Sequence, residues 1–489
     1  MLHDLVLAGG RVVDPETGFD RVCDVGINGE SVTAVGDHLD GATVVDVDGL
    51  VVAPGFIDLH SHAQTLPGRR LQACDGVTTA LDLEAGRAPV DLAYGREAER
   101  GSPINYGFSA SWAAARMHAV AGGPLDGGAT ALFAGLGGTE WQQAATPSQL
   151  VRILDQLSTD LAAGAIGIGV LIGYTPGVDP AEYLAIAELA ASAGVPTFTH
   201  SRDIVELAPE TLIDGAEEVV RAAGTTGAHM HYCHINSTSS RHIDRVLTLV
   251  GRCQAEGARV TTEAYPYGSG STAIGAAFLA PERLRERFRS TEAITYLRTG
   301  ERVADDNRLR ELRASDPGGL VIVEFLDEDD PVDAALLRRS LAFPDAIVAS
   351  DGMPPLWTGA AGMDVAAWPL PPQAVTHPRT AGTFGRALRL WRQEGVPLMD
   401  AVRRATLLPA EVLHEAVPAM GRKGRVQPGA DADLVVFDQA LVTDQATYAD
   451  STRPSFGIAH VIVGGTFVVR DGQLVPDALP GRPVLASAR

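Results

Sequence analysis

Between residues 53 and about 414, short apolar runs that read as strands alternate with stretches of helical periodicity, and this alternation limits the possible folds more than any other feature. The runs are APGFIDLHSH, VTTALDLE, INYGFSAS, AIGIGVLI, PTFTHSRD, HMHYCHIN, RVTTEAYPY and AIVASDG, with helical stretches such as AEYLAIAELAASAG and SRHIDRVLTLVGRCQAEG between them. A strand joined through a helix to the next strand of its sheet runs parallel to it. Eight such units are the number that closes a (β/α)₈ barrel. The expected fold is therefore α/β, a TIM-like barrel over residues 53–414, with a lid-like insertion at about 272–342 before the last run. Long connections at about 85–103 and 111–145 surround the third run.

The two ends read differently. LVLAGGRVVD is two β-prone runs around Gly9-Gly10, Asn28-Gly29 is a hairpin signal, and HVIVGGTFVVRDG repeats the pattern around Gly464-Gly465. DADLVVFD adds another strand. Residues 1–52 and 415–489 are therefore expected to pair into one small β-sandwich domain built from both chain ends.

The formal net charge is −22 and the sequence pI is about 4.9. An acidic surface repels phosphate backbones, which argues against nucleic acid as a partner and leaves a small-molecule substrate. The start, MLHDLVLAGGRVVD, has no basic leader and no long apolar stretch, and no segment is long enough to span a bilayer, so no membrane partner is expected. Cys23, Cys74, Cys233 and Cys253 have no paired spacing and read as free thiols of a cytoplasmic protein. A homo-oligomer is compatible with all of this. The chain has a single lysine, Lys423.

The strongest local motif is Pro54-Gly55-Phe56-Ile57-Asp58-Leu59-His60-Ser61-His62. Strand side chains alternate faces, so His60 and His62 point the same way, and at the C-terminal end of a barrel strand that direction is into the site. Two neutral imidazoles there make half of a metal site. Three more candidates close their runs: His200, His234 and Asp351. For each histidine the competing reading is an ordinary hydrogen-bonded group, and for Asp351, which precedes Gly352, a turn. His229 and His231 stand at odd spacing from His234, so they alternate differently, which suits a core position for one of them. Arg379, in His377-Pro378-Arg379, has the planar fork that grips a carboxylate with two parallel bonds, against the alternative of an internal salt bridge.

Together these residues resemble the amidohydrolase superfamily, and the resemblance runs through nearly the whole chain, including the closing GRKGRVQPGADADLVVFD. GAIGIGVLIGYTPG, THSRD, EAYPYGSGST and HPRTAGTFGR are similar to the D-aminoacylase, or N-acyl-D-amino-acid deacylase, branch. The resemblance implies a divalent metal, with zinc expected, at one or two ions per chain. Many members bridge two metals with a carbamylated lysine, which Lys423, far outside the barrel strands, does not supply. D-aminoacylases use a cysteine after the VTT strand, where this chain has Glu84 and Ala85. Alanine cannot ligate, so Glu84 is the expected bridging ligand, Asp82 its rival on the same face, and Cys74 buried packing. By resemblance His200, His234 and Glu84 hold the tighter metal, His60, His62 and Asp351 a second, and Asp351 is the general base. Tyr265 and Ser271 match positions that help hold the substrate carboxylate, and Asn236 stands where the branch usually has lysine. The implied activity is hydrolysis of a C–N bond, with deacylation of an N-acyl-D-amino acid first. The alternatives are a cyclic amide or imide hydrolase of the hydantoinase or dihydroorotase type, and a non-catalytic homologue.

Overall fold

A computed structural model describes residues 2–126, 128–287, 290–357, 366 and 368–487. All eight runs are strands: β1 (Phe56–Asp58), β2 (Val77–Arg87), β3 (Asn105–Ser111), β4 (Ile168–Val170), β5 (Thr197–Thr199), β6 (Met230–Tyr232), β7 (Val260–Ala264) and β8 (Ile347–Val348). They form one sheet ordered as the chain runs, with β8 beside β7, and the pairings described are parallel: this is the (β/α)₈ barrel arrangement. The intervening helices begin where short polar side chains cap them. Thr146 and Gln149 form a capping box on the helix Pro147–Ala162. Asp179 caps Pro180–Ala193, which ends on left-handed Gly194.

The described residues group into two compact units. The first comprises Met1–Leu81, Arg96–Gly107 and Ile347–Leu485. Both chain ends meet there in one nine-stranded sheet, joined where Val51–Pro54 pairs antiparallel with Leu434–Phe437. The expected sandwich is thus hydrogen-bonded as a single sheet. The long strand Leu2–Asp14 pairs Phe19–Asn28 along its length with a register shift between Leu7 and Gly10, and on its other edge its two halves pair different strands, Asp40–Asp46 and Val51–Pro54. This sheet has its own core of Leu7, Val25, Val52, Leu434, Val436 and Ile462. A second cluster joins the sheet to β1 and β8 through Phe56, Val348, Phe384, Trp391 and Phe437, with Phe56 and Phe384 stacked at 5.2 Å.

The second unit comprises Asp82–Gly95, Phe108–Ala346 and Ala486–Arg489. The insertion before β8 has secondary structure of its own: a four-stranded sheet that begins at Ser269–Ala273, and the helices Pro281–Arg287, Asp306–Ser315 and Pro331–Ala342. Among the described residues no helix is long and apolar enough to cross a membrane.

Candidate metal centre

In the second unit three ligand atoms from three strand ends converge. Glu84, near the end of β2, places Oε1 2.6 Å from His234 Nε2 and 3.1 Å from His200 Nδ1, and those two nitrogens are 3.1 Å apart. Ligands about 2.0–2.1 Å from a tetrahedral zinc stand about 3.3 Å from one another, so the two 3.1 Å edges come close to that spacing while the 2.6 Å edge is that of a hydrogen bond. Glu84 and His234 are buried, and His200 is nearly so. The donor set, two imidazoles and a carboxylate, suits zinc and similar divalent ions.

Each of these three side chains is fixed by its surroundings. His200 follows β5, and its ring stacks on Phe278 of the insertion, 5.9 Å away and nearly parallel, and lies beside Tyr174 at 4.8 Å. Behind it the chain passes so close that a Cβ on Gly173 would stand 2.4 Å from the Ser201 carbonyl and 2.5 Å from His200 Cδ2, so that position requires glycine. His234 follows β6 in the left-handed region, φ 32° and ψ 56°, a conformation uncommon for histidine and frequent where function over-determines the backbone. Its second nitrogen, Nδ1, lies 3.1 Å from Ser237 Oγ, which sets the ring orientation.

In the first unit a second triangle forms. His60 Nε2 lies 3.1 Å from His62 Nε2 and 3.5 Å from Asp351 Oδ1, and His62 Nε2 lies 3.6 Å from the same oxygen. These edges also match a metal polyhedron. The ends of β1 and β8 are tied by Asp58, a residue of the histidine motif that sequence reasoning passed over. Its carboxylate accepts from Ser350 N at 2.9 Å, Ser350 Oγ at 2.5 Å and Gln72 Nε2 at 2.7 Å. Asp351 N donates to the His60 carbonyl at 2.7 Å, and Asp351, like His234, has a positive φ of 49°.

Other candidates have different neighbours from those expected. Arg379, fully buried at the start of the helix Arg379–Gln393, has Nη2 3.0 Å from Asp351 Oδ1, so the carboxylate within its reach is internal. Asp82 is ion-paired with Arg87, which draws it away from the ligand role for which it rivalled Glu84. Cys74 is buried and its thiol is pushed up to about 12 by burial and by Asp75, so it stays protonated and packs. His231 lies in the core, with Nε2 3.1 Å from Glu263 and Nδ1 2.8 Å from Thr261 Oγ1. Tyr265 is buried, with its ring 6.4 Å from that of His234. Asn236 is buried with Nδ2 donating to the Tyr265 carbonyl at 3.1 Å, and Ser271 lies on the insertion strand Ser269–Ala273. Ser237, Phe278 and Glu263 belong to no motif, and only their places in the fold bring them to the site.

The amidohydrolase family pattern matches residues 43–123 and 109–469. The N-acyl-D-glutamate deacylase of Alcaligenes xylosoxydans xylosoxydans is 30% identical over 98% of this chain and 96% of its own. The D-aminoacylase of the same organism is 29% identical over 94% and 93%. The crystal structure of the N-acyl-D-glutamate deacylase from Bordetella bronchiseptica, complexed with zinc and a phosphonate inhibitor, superposes with a TM-score of 0.77 at 25% identity, over 99% of this chain and 100% of that one. The two histidine-carboxylate triangles at the barrel strand ends and this full-length likeness lead to one conclusion: the chain belongs to the amidohydrolase family and stands with its N-acyl-D-amino-acid deacylase branch.

Proposed function

We propose that the chain hydrolyses the amide bond of N-acyl-D-amino acids or close relatives of them, with zinc held by Glu84, His200 and His234. The observation that carries this reading is the convergence of those three ligand atoms on one point. A divalent ion held there by Glu84, His200 and His234 would supply a Lewis acid that makes water more acidic and polarises the scissile carbonyl. Asp351 accepts the proton of the attacking water and returns it to the leaving nitrogen as the C–O bond forms and the C–N bond breaks, which yields a carboxylate and an amine. Arg379 holds the Asp351 carboxylate in place. His60 and His62, with Asp351, offer a second and weaker ion position. Tyr265, Ser271 and Asn236 line the place of the amino-acid half, and the insertion that brings Phe278 against His200 acts as the lid. The free cysteines are in keeping with a cytoplasmic setting.

The cyclic-amide reading fits less well. Its usual bridging lysine has no counterpart, because Lys423 is buried against Asp433 at 2.5 Å and Asp431 at 3.0 Å. A non-catalytic scaffold has no reason to keep two complete donor triangles. The test is a panel of N-formyl- and N-acetyl-D-amino acids given to zinc-loaded protein, with L-forms and cyclic imides as controls. D-selective turnover is expected. Turnover of the imides alone, or of nothing by metal-replete protein, overturns the proposal.

A further inference from the structure

The first unit contains a cavity of about 360 Å³, where the end of the helix Arg379–Gln393 and residues 395–401 meet the sheet built from the two chain ends. Its deeper lining is apolar: Leu388, Phe437 and Val442 are buried, and Val396 and Met399 add half-buried side chains. Two arginines stand on its polar side. Arg11 turns its fork to Asp20, with Nε donating to Oδ1 and Nη2 to Oδ2, each at 2.7 Å, and its Nη1 donates to Gln439 Oε1 at 2.9 Å. Arg392 is fixed by the same glutamine: Nη1 donates to the Gln439 carbonyl at 2.6 Å and to the Val442 carbonyl at 3.1 Å. Those carbonyls hold the guanidinium without cancelling its charge. Among the described residues no carboxylate pairs with Arg392, and nothing accepts from its Nε or Nη2. That open Nε–Nη2 edge is the one with which Arg11 grips Asp20. Two arginines tied to one glutamine thus share one carboxylate, which leaves a positive charge over in a chain whose formal net charge is −22.

We infer that this cavity is a binding site for a small monocarboxylate with an apolar body, its carboxylate on the Nε–Nη2 edge of Arg392 and its chain against Leu388, Phe437 and Val442. A guanidinium edge takes a planar carboxylate with two parallel bonds, and here it is held in place before any ligand arrives. The volume is that of a small-molecule site, and the apolar lining beside one fixed polar group is the usual make-up of such a site. Asp20 in the lining and the acidity of the whole chain turn away dianions and polyanions, which leaves a single negative charge as the match for one cation. The site is separate from the ends of β1 and β8. Arg392 stands thirteen residues along its helix from Arg379, the neighbour of Asp351, which is about 20 Å at 1.5 Å per residue. A ligand there does not reach Asp351, so the inference is independent of the deacylase reading.

The experiment titrates the full zinc-loaded chain with hexanoate, butyrate and hexanamide by calorimetry. Each buried methylene is worth roughly fourfold, so hexanoate should bind about tenfold or more tighter than butyrate. Hexanamide lacks the charge and should bind about tenfold or more weaker than hexanoate, because bonds to a charged partner are lost. Arg392→Met should erase the preference for hexanoate over hexanamide. Met399→Trp fills the cavity and should abolish hexanoate binding, and if Arg392→Met does not fold, this variant decides. Asp351→Asn should bind hexanoate as the wild type does. Hexanoate that fails to bind at millimolar concentration overturns the inference. So does hexanoate binding that survives both cavity variants, or that is lost in Asp351→Asn and thereby belongs to the metal centre.

Discussion

Replacing Glu84 by alanine tests the metal assignment at the residue where this chain departs from its branch. Its Oε1 is the only carboxylate oxygen in the Glu84–His200–His234 triangle, 2.6 Å from one histidine nitrogen and 3.1 Å from the other. Four-ligand structural zinc sites bind with about 10–16 kcal/mol, or roughly 3–4 kcal/mol per ligand. Losing one of three protein ligands should then weaken the tighter ion by about 10²- to 10³-fold. Metal content after gel filtration against a zinc-buffered chelator measures this directly. A second measurement is independent of activity: an ion that binds only the folded chain stabilises it by RT ln(1 + [L]/Kd), so at equal free zinc the metal-induced stabilisation should shrink by about 3–4 kcal/mol in the variant. Glu84→Gln keeps the shape and should behave almost as badly, because the charge is what it lacks. If instead the short Glu84–His234 contact is only an internal ion pair, both variants will keep wild-type zinc content and the same metal-induced shift in Tm. That result would refute the reasoning.

Arg379→Met should slow turnover of carboxylate-bearing and neutral amide substrates by similar factors, on the order of 10²-fold or more, because the side chain acts through Asp351, 3.0 Å away. A loss confined to carboxylate-bearing substrates would mean that Arg379 grips the substrate instead. Lys423→Ala should leave activity independent of bicarbonate but cost stability, at most about 3–5 kcal/mol, since it takes the ammonium from buried Asp433, which keeps bonds from Asn105 Nδ2 and Gly464 N, while Asp431 keeps Arg422; an unchanged denaturation midpoint would contradict this. Asp75 supplies a pH test. Burial pushes its carboxyl up to about 7 despite bonds from Phe384 N, Gly385 N and Ser455 Oγ. The folded chain then holds a proton that the unfolded chain has released above about pH 4, so this contribution, at most about 4 kcal/mol, is complete below that pH and is lost as pH rises through 7. The Tm advantage of wild type over Asp75→Asn should therefore fall between pH 5 and pH 8, and parallel pH profiles would count against it.

Much of the fold was legible in local patterns. Alternating apolar runs and helical stretches need only neighbouring residues to be recognised, and all eight runs became strands in one parallel sheet. The shared direction of His60 and His62 follows from strand geometry alone, and the single lysine excludes a carbamate bridge by composition. Glu84 could be chosen over Ala85 because only one of the two can donate an electron pair, and its Oε1 lies 2.6 Å from His234 Nε2 and 3.1 Å from His200 Nδ1. Pairing partners far apart in the chain were another matter. Nothing local says that Arg379 turns to Asp351, that Asp58 ties β1 to Ser350, or that Phe278 comes from the insertion to cover His200. Arg379 and Lys423 each carry a charge that burial makes costly unless an opposite charge meets it, and which carboxylate does so is decided by the approach of strands and helices tens to hundreds of residues apart. The sequence determined the periodicities and the stock of donor groups. The tertiary structure decided which donors face one another, because side-chain contacts depend on distances in space that no spacing along the chain encodes.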